Sequence, residues 1–418
     1  MTDADSPADQ AIARAHRDEW ARVVAGVARR FGDLDLAEDA ASEAFVVAVE
    51  RWPRDGIPPN PGAWLTTTAT RKAIDRLRRE SRRDDKHQAA WMLTDETPPE
   101  PVGPVEDDRL RLVFICCHPA LSMEARVALT LRLLGGLTVA EIAHGFLVPE
   151  TTMAQRITRA KAKIRSARLR YEVPSATDIQ ERLAAVLAVV YLIFNEGYLA
   201  SGGGDPMRAD LADEAIRLGR LLRRLLPEEG EVTGLLALML LSDARRAARV
   251  SRSGELVTLD EQDRGAWNRG MITEGHALVH ERIAAVAAGA TAPGRYQLLA
   301  AINAVHTAAP SARDTDWSQI VALYDRLIAI DASPIVRLNR AIAIAELDGP
   351  DVALAELDRI SEPLQSYHAY HAARADLLRR VGRSNESRKA YDHAIRLARN
   401  PAERAYLTRR RGQLGGDE

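Results

Sequence analysis

Between Gly136 and Arg165 the chain gathers side chains whose types and spacing suit the recognition of nucleic acid. Thr152, Gln155, Arg156 and Arg159 come first. Arg and Gln can hydrogen-bond base edges in bidentate fashion. Lys161, Lys163 and Arg165 follow, and no acidic residue occurs between Thr151 and Tyr171. These cations suit phosphate oxygens, contacts that set affinity and register without carrying sequence information. Such chemistry needs a helix to present it, and the apolar residues supply one. Met153, Ile157, Ala160 and Ile164 recur at i, i+4, i+7 and i+11, which is a single buried stripe. Pro149 suits the first turn of that helix, where a missing N–H costs nothing. Just upstream, Thr138 and Glu141 form a T-x-x-E capping box, and Val139, Ile142 and Ala143 give the short helix it opens an apolar face. A capped helix, a turn and a helix apolar on one side and cationic on the rest is the geometry of a helix-turn-helix, whose second helix enters the major groove.

The elements before it form another helical block. Trp20, Val23, Val24, Val27 and Phe31 are spaced as the inner face of a helix over Ala11–Phe31, and Gly32–Asp35 breaks it. A second helix is expected over Leu36–Trp52, with Glu38, Asp39, Glu43 and Glu50 on its polar side. Pro53–Pro61, with four prolines and a glycine, is expected to be a loop. A third helix is expected over Ala63–Arg83. Leu65, Ala69, Ala73 and Leu77 make its inner stripe, and Lys72, Arg76, Arg79 and Arg83 make a basic stripe at helical spacing. Residues 84–108 carry Pro98, Pro99, Pro101 and Pro104 and end on Glu106, Asp107 and Asp108, the composition of an extended linker.

A length of 418 residues exceeds one ordinary core and calls for two or three domains. Hydrophobic content of 46% against 28% charged is that of a globular chain, and aromatics at 5% with abundant Ala, Leu and Arg favour helices over sheet. The fold class is therefore all-α. The net charge of −2 decides little, because the basic residues are clustered. The apolar run Leu183–Phe194 is too short to span a bilayer, and the polar, acidic start of the chain does not read as a signal peptide, so a cytoplasmic location without membrane contact is expected. Cys116 and Cys117 are adjacent, which suits neither a disulfide nor the usual zinc spacing; they read as small hydrophobes in a packed segment. No G-x-x-x-x-G-K or H-E-x-x-H motif occurs. Ser201–Asp205 lacks the Lys-Ser/Thr of a phosphate cradle and reads as a connector. The chain is expected to be no enzyme and to hold no metal or cofactor.

Beyond about Pro174 the pattern becomes a run of helix pairs. Over Tyr324–Arg411 a segment beginning near Arg337 is echoed about 33 residues later, with small residues at Ala341, Ala345, Ala373, Ala390 and Ala394. That period resembles tetratricopeptide repeats, which stack helix pairs into a concave surface for a protein or peptide partner.

Three segments, in order, resemble the extracytoplasmic-function (ECF) group of RNA polymerase sigma factors. AEDAASEAFVVAVERWP is similar to the polymerase-binding region of sigma domain 2. NPGAWLTTTATRKAIDRLRRESRR is similar to the helix that follows it and opens the promoter. GLTVAEIAHGFLVPETTMAQRITRAKAKIR is similar to sigma domain 4. YLIFNEGYLASGG and the repeat-like tail resemble the ECF subgroup with a large C-terminal helical extension. The resemblance implies sigma domain 2 over 11–83, a linker over 84–108, sigma domain 4 over 109–171 and a tetratricopeptide-like domain over 175–418. It implies core RNA polymerase and promoter DNA as partners, with regulation by the chain's own extension. Glu38, Asp39 and Glu43 would dock on polymerase. Lys72, Arg76, Arg79 and Arg83 would follow the downstream promoter element, with Trp64 beside a pocket for a flipped base; a plain core role is the alternative for Trp64. Thr152, Gln155, Arg156 and Arg159 would face the upstream element, with Lys161 and Lys163 on phosphates. Leu147 and Ala154 stand where the family often has Gly and Lys. The rival reading is a repeat-bearing helix-turn-helix activator that does not bind polymerase as a sigma factor.

Overall fold

The computed structural model of the chain describes residues 7–81, 108–146, 148–167, 176–198, 207–251, 256–289, 292–398 and 400–414. Arg83, Leu147, the Ser201–Asp205 connector and the expected linker up to Asp107 lie outside the described residues. The described residues form helices and no strand, so the fold is all-α. Contacts divide the chain into two compact units, Met1–Leu192 and Ile193–Glu418.

The first unit opens with three long helices, α1 (Pro7–Phe31), α2 (Leu34–Asp55) and α3 (Pro61–Ser81), each packed on the other two. Trp20, Val23, Val24 and Val27 of α1, Ala41, Ala44 and Ala48 of α2, and Leu65, Ala69 and Ala73 of α3 are buried. Small residues at helical spacing on α2 and α3 let the backbones approach closely. The Asp33 carboxylate caps α2 by accepting from the Asp35 and Leu36 N–H groups. The helix ends later than the proline-rich composition suggested. Pro53 lies inside its last turn, and the stop comes at Gly56, which takes a positive φ of 86° while its N–H donates to the Trp52 carbonyl. Pro53 cannot donate to the Val49 carbonyl four residues back, a cost the helix bears in its last turn.

Four more helices follow: α4 (Asp108–Cys116), α5 (Met123–Leu129), α6 (Val139–Gly145) and α7 (Glu150–Ser166). Thr130–Leu134 continues α5 as a π-helical segment, closed by the Gly135 N–H donating to the Thr130 carbonyl at 3.1 Å. The capping box before α6 forms reciprocally. The Thr138 N–H donates to the Glu141 carboxylate at 2.7 Å, and the Glu141 N–H to the Thr138 hydroxyl at 3.2 Å. Ile142 and Ala143 are buried, as are Met153, Ile157, Ala160 and Ile164. Helix α7 packs on α5 and α6 through that stripe.

Cys116 and Cys117 are free thiols buried in and just after α4. Burial pushes the Cys117 thiol up to about 12, although a contact with the Thr130 hydroxyl at 3.6 Å and the Arg126 charge work the other way.

Helix α8 (Ala176–Tyr198) leads into the second unit. There α10 (Gly230–Asp243), buried from Val232 to Asp243, packs on α9 (Ala209–Leu225), α12 (Arg269–Ala287) and α13 (Arg295–Ala308), with the short α11 (Arg246–Arg249) following it in the chain. A Cβ on Gly234 would lie 2.6 Å from the Gln297 backbone nitrogen, so glycine there permits the close approach of α10 and α13. The remaining helices, α14 (Trp317–Ile330), α15 (Pro334–Leu347), α16 (Pro350–Arg359), α17 (His368–Arg380), α18 (Ser384–Leu397) and α19 (Pro401–Gly412), pack on one another in sequence order. Ala341, Ala345, Ala390 and Ala394 are buried in their common core, with Ala373 half-buried beside them. No helix among the described residues is long and apolar enough to cross a membrane.

Since a thiol this far above neutrality supplies almost no thiolate, native Cys117 should resist iodoacetamide at pH 8 and react only when the first unit unfolds. Mass spectrometry of alkylated peptides, with and without urea, checks this. Fast native labelling of both cysteines would contradict it.

Candidate nucleic-acid interface

Helix α7 carries two functional-looking faces besides its apolar stripe. The first looks to solvent. Thr152, Gln155 and Arg159 are exposed, Arg156 is half-buried and Lys163 is exposed. With Leu121, Ser122 and Ala125 from the start of α5 and Ala160, they line one concavity of about 350 Å³. Among the described residues no hydrogen bond or ion pair engages the side chains of Gln155, Arg159 or Lys163. The structure thus brings five of the six residues expected at the upstream element into a single open basic hollow.

Lys161 is the sixth, and it points elsewhere. It is 7% exposed, and its ammonium donates to Asp35 at 2.8 Å and to Glu38 at 2.5 Å on α2. Arg165 pairs with the other oxygen of Asp35. Arg132, on the π-helical segment, reaches Glu38 with Nε at 2.6 Å and Nη2 at 2.5 Å, while its Nη1 donates to the Leu137 carbonyl at 2.8 Å. Glu38 was expected on a polar face of α2, but it is 8% exposed. The reason is geometric: it follows Leu34 by four residues and precedes Ala41 by three, so it shares their inward face. Burial alone would raise the Asp35 carboxyl, but Lys161 and Arg165 outweigh it and hold that group below its ordinary value. Burial alone would lower the Lys161 ammonium, but Glu38 and Asp35 outweigh it and hold that group above its ordinary value.

Other contacts seat the two helical groups on each other. The Trp20 indole N–H donates to the Arg132 carbonyl at 3.3 Å, and Arg29 pairs with Asp108 at 3.3 Å. Gly136 takes φ +73°, and a Cβ there would lie 2.7 Å from His16 and 3.0 Å from Trp20. Glycine is needed at this position for both its backbone angle and the space.

The remaining expected contacts also find partners inside the unit. Lys72 pairs with Glu43 at 3.4 Å and Arg76 with Asp39, so two cations of the basic stripe on α3 are held by two acids of α2. Arg79 is exposed, with Nε donating to the Asp75 carbonyl. Trp64 is half-buried and packs edge-on against the buried Trp52, with ring centroids 5.6 Å apart. Two residues that the charge pattern passed over are Val46 and Val49. They are 56% and 53% exposed at i, i+3 on α2, beside Glu43 and Glu50. Their apolar type on an otherwise polar face was visible, and only packing could tell that no described residue of the unit covers them.

Comparison with known proteins gives this arrangement a family. Residues 17–83 match the model of Sigma-70 region 2, residues 111–164 that of Sigma-70 region 4, and residues 182–283 a family of unknown function (DUF6596). An uncharacterized protein of Rhizobium meliloti is 45% identical over 386 residues, covering 91% of this chain and 90% of that protein. The ECF RNA polymerase sigma factor SigK of Mycobacterium ulcerans is 30% identical over 170 residues, 37% of this chain and 88% of SigK. The ECF RNA polymerase sigma factor SigJ of Mycobacterium tuberculosis is 31% identical over 139 residues, 33% of this chain and 41% of SigJ. Two sigma-70 regions joined in one chain are the mark of a family of transcription initiation factors that are not themselves enzymes. The chain belongs to the ECF sigma factors of RNA polymerase.

The ion cluster predicts its own pH and mutational behaviour. Asp35 has a lowered folded value, so its contribution is present above its ordinary value near 3.8 and is lost as pH falls through the folded value. Lys161 has a raised folded value, so its contribution is complete below 10.5 and is lost only as pH rises past that. Energy transfer between dyes on Ile57→Cys and Ser166→Cys should therefore stay flat across neutral pH and fall in acid. Lys161→Ala leaves Glu38 partly unpaired, at a cost of about 3 kcal/mol, and should speed amide exchange along α7 about a hundredfold. Exchange at the wild-type rate would show that the pairing holds nothing in place.

Proposed function

We propose that this chain binds core RNA polymerase and directs promoter-specific initiation. The observation that carries this reading is the open basic hollow of Thr152, Gln155, Arg156, Arg159 and Lys163, on a chain that also carries sigma-70 region 2. In this reading sigma domain 2 spans 11–83 and sigma domain 4 spans 109–171. Arg156, Arg159 and Gln155 read base edges of the upstream element, and Lys163 holds phosphate. The α3 stripe with Trp64 serves the downstream element. Polymerase is engaged by α2, where Val46 and Val49 supply the apolar centre and Glu43 and Glu50 the charged rim that protein interfaces favour.

The ion cluster adds a condition. Glu38 and Lys161 neutralise each other, as do Asp39 with Arg76 and Glu43 with Lys72. Any of these groups that serves polymerase or DNA must first leave its partner. Of these three pairs only Glu38–Lys161 joins domain 4 to α2, so use of either group by polymerase or DNA requires domain 4 to separate from α2. The region from 175 to 418, read as tetratricopeptide-like from its period and small-residue core, regulates that step and offers a surface to a protein or peptide. Work of this kind belongs in the cytoplasm.

Run-off transcription with purified core polymerase tests the central claim. Promoter-specific transcripts are expected. Their absence, with DNA binding intact, favours the activator reading instead. Arg156→Ala should weaken upstream-element binding by about 1–3 kcal/mol and relax specificity there; an unchanged footprint removes Arg156 from the reading set. Truncation after Arg170 should change reporter activity, silence meaning that the extension assists and constitutive activity that it restrains. Unaltered activity would remove the extension from regulation.

A further inference from the structure

Helices α10, α12, α13 and α14 of the second unit enclose a cavity of about 440 Å³. Pockets of about 300–1,000 Å³ are the range that holds small organic ligands. Its inner wall is apolar: Val279 and Leu298 are buried, and Ala300, Ala301, Ala304 and Val305 line it along α13. Helix α12 is apolar on two sides. Ile272, Gly275 and Val279 are buried, while Ile283, 57% exposed, and Val286 face the cavity without a covering helix.

The charged side chains described around this apolar wall are both cationic. Arg282, Arg326, His276 and His280 line the cavity, with Gln297 and Gln319, and among the described residues no carboxylate lines it. The two arginines differ from most others in the unit, which are paired with acids, such as Arg220 with Glu274 and Arg223 with Glu281. Arg282 donates through Nε to Gln297 at 3.1 Å, and among the described residues its Nη groups meet no acceptor. Arg326 is exposed and, among the described residues, makes no ion pair. Glu231 stands behind the wall, where its carboxylate accepts from the Tyr296 and Gln297 N–H groups and the Gln297 amide. That network fixes Gln297 and, through it, the Arg282 guanidinium. Burial and the neighbouring His280 keep the His276 imidazole below its ordinary value. An anion placed at the two arginines would be favoured electrostatically, and a cation would be rejected.

We propose that this cavity is a binding site for a small amphipathic organic anion, with its hydrocarbon body along α12 and α13 and its carboxylate or sulfonate at Arg282 and Arg326. The site spans the α10–α12 region of the DUF6596 match and the two helices after it. Its occupancy does not depend on whether the chain engages polymerase.

The test uses the full chain with decanoate in calorimetry, and with anilinonaphthalene sulfonate as a fluorescent probe. Decanoate should bind saturably at one site and displace the probe, while decyltrimethylammonium should not. Arg326→Gln, an exposed change that should leave folding intact, should weaken decanoate by about threefold or more, and the loss should shrink in high salt. Ala301→Trp should fill the cavity and abolish binding while the thermal melt is retained. If that variant does not fold, Arg326→Gln carries the test. No detectable decanoate binding, equal binding of the cationic analogue, or unchanged affinity in a folded Arg326→Gln protein would each overturn the proposal.

Discussion

A buried carboxylate cannot stand alone, and Glu38 is the buried carboxylate on which the first unit turns. Removing a carboxylate from water costs several kcal/mol unless cations replace the lost hydration. Lys161 from α7 and Arg132 from the π-helical segment both converge on it, and Asp35 extends the cluster to Arg165. The cluster therefore specifies one seating of the second helical group on the first. The Trp20–Arg132 hydrogen bond and the close approach of Gly136 to His16 and Trp20 fit that seating. An i→i+5 turn at Thr130–Leu134 is a local departure from α geometry, and it carries the arginine that the cluster needs.

The same cluster explains how one short helix serves several surfaces. Helix α7 turns Met153, Ile157 and Ala160 to the core, Lys161 and Arg165 to α2, and Gln155, Arg159 and Lys163 to solvent. A uniformly cationic helix is thereby split into an internal tie and an external grip. On α2 the division is reversed in sign, with Glu38 inside and Val46 and Val49 left outside. The second unit solves a different problem. Its central helix α10 is buried along most of its length, so its neighbours must be apolar on the faces they turn to it. Helix α12 carries apolar residues beyond that need, and they meet two arginines, Arg282 and Arg326, with no acid lining the cavity among the described residues.

Much of this was legible in order along the chain. The capping box at Thr138 and Glu141, the stripe from Met153 to Ile164 and the inner stripe of α3 from Leu65 to Ala73 follow from spacing alone, because a helix repeats every 3.6 residues whatever surrounds it. The family likeness over residues 17–83 and 111–164 rests on the same segments. Helix α2 runs two residues past Pro53 to Asp55, because a proline weakens a helix by one hydrogen bond and a ring contact without always ending it at that residue. Lys161 stands four residues after Ile157, which already put it at the edge of the buried stripe. A lysine at such an edge can turn outward to phosphate or inward to a carboxylate, and spacing does not distinguish the two.

Residue types and periodicity thus determined which segments are helices, which faces are apolar and where cations collect. Only the tertiary structure decided which cation meets which acid. Coulomb attraction has long reach and little direction, so Lys161 is suited equally to a phosphate and to Glu38 until the fold brings one of them within hydrogen-bond distance. Hydrophobic periodicity is a property of one helix; charge pairing is a property of two.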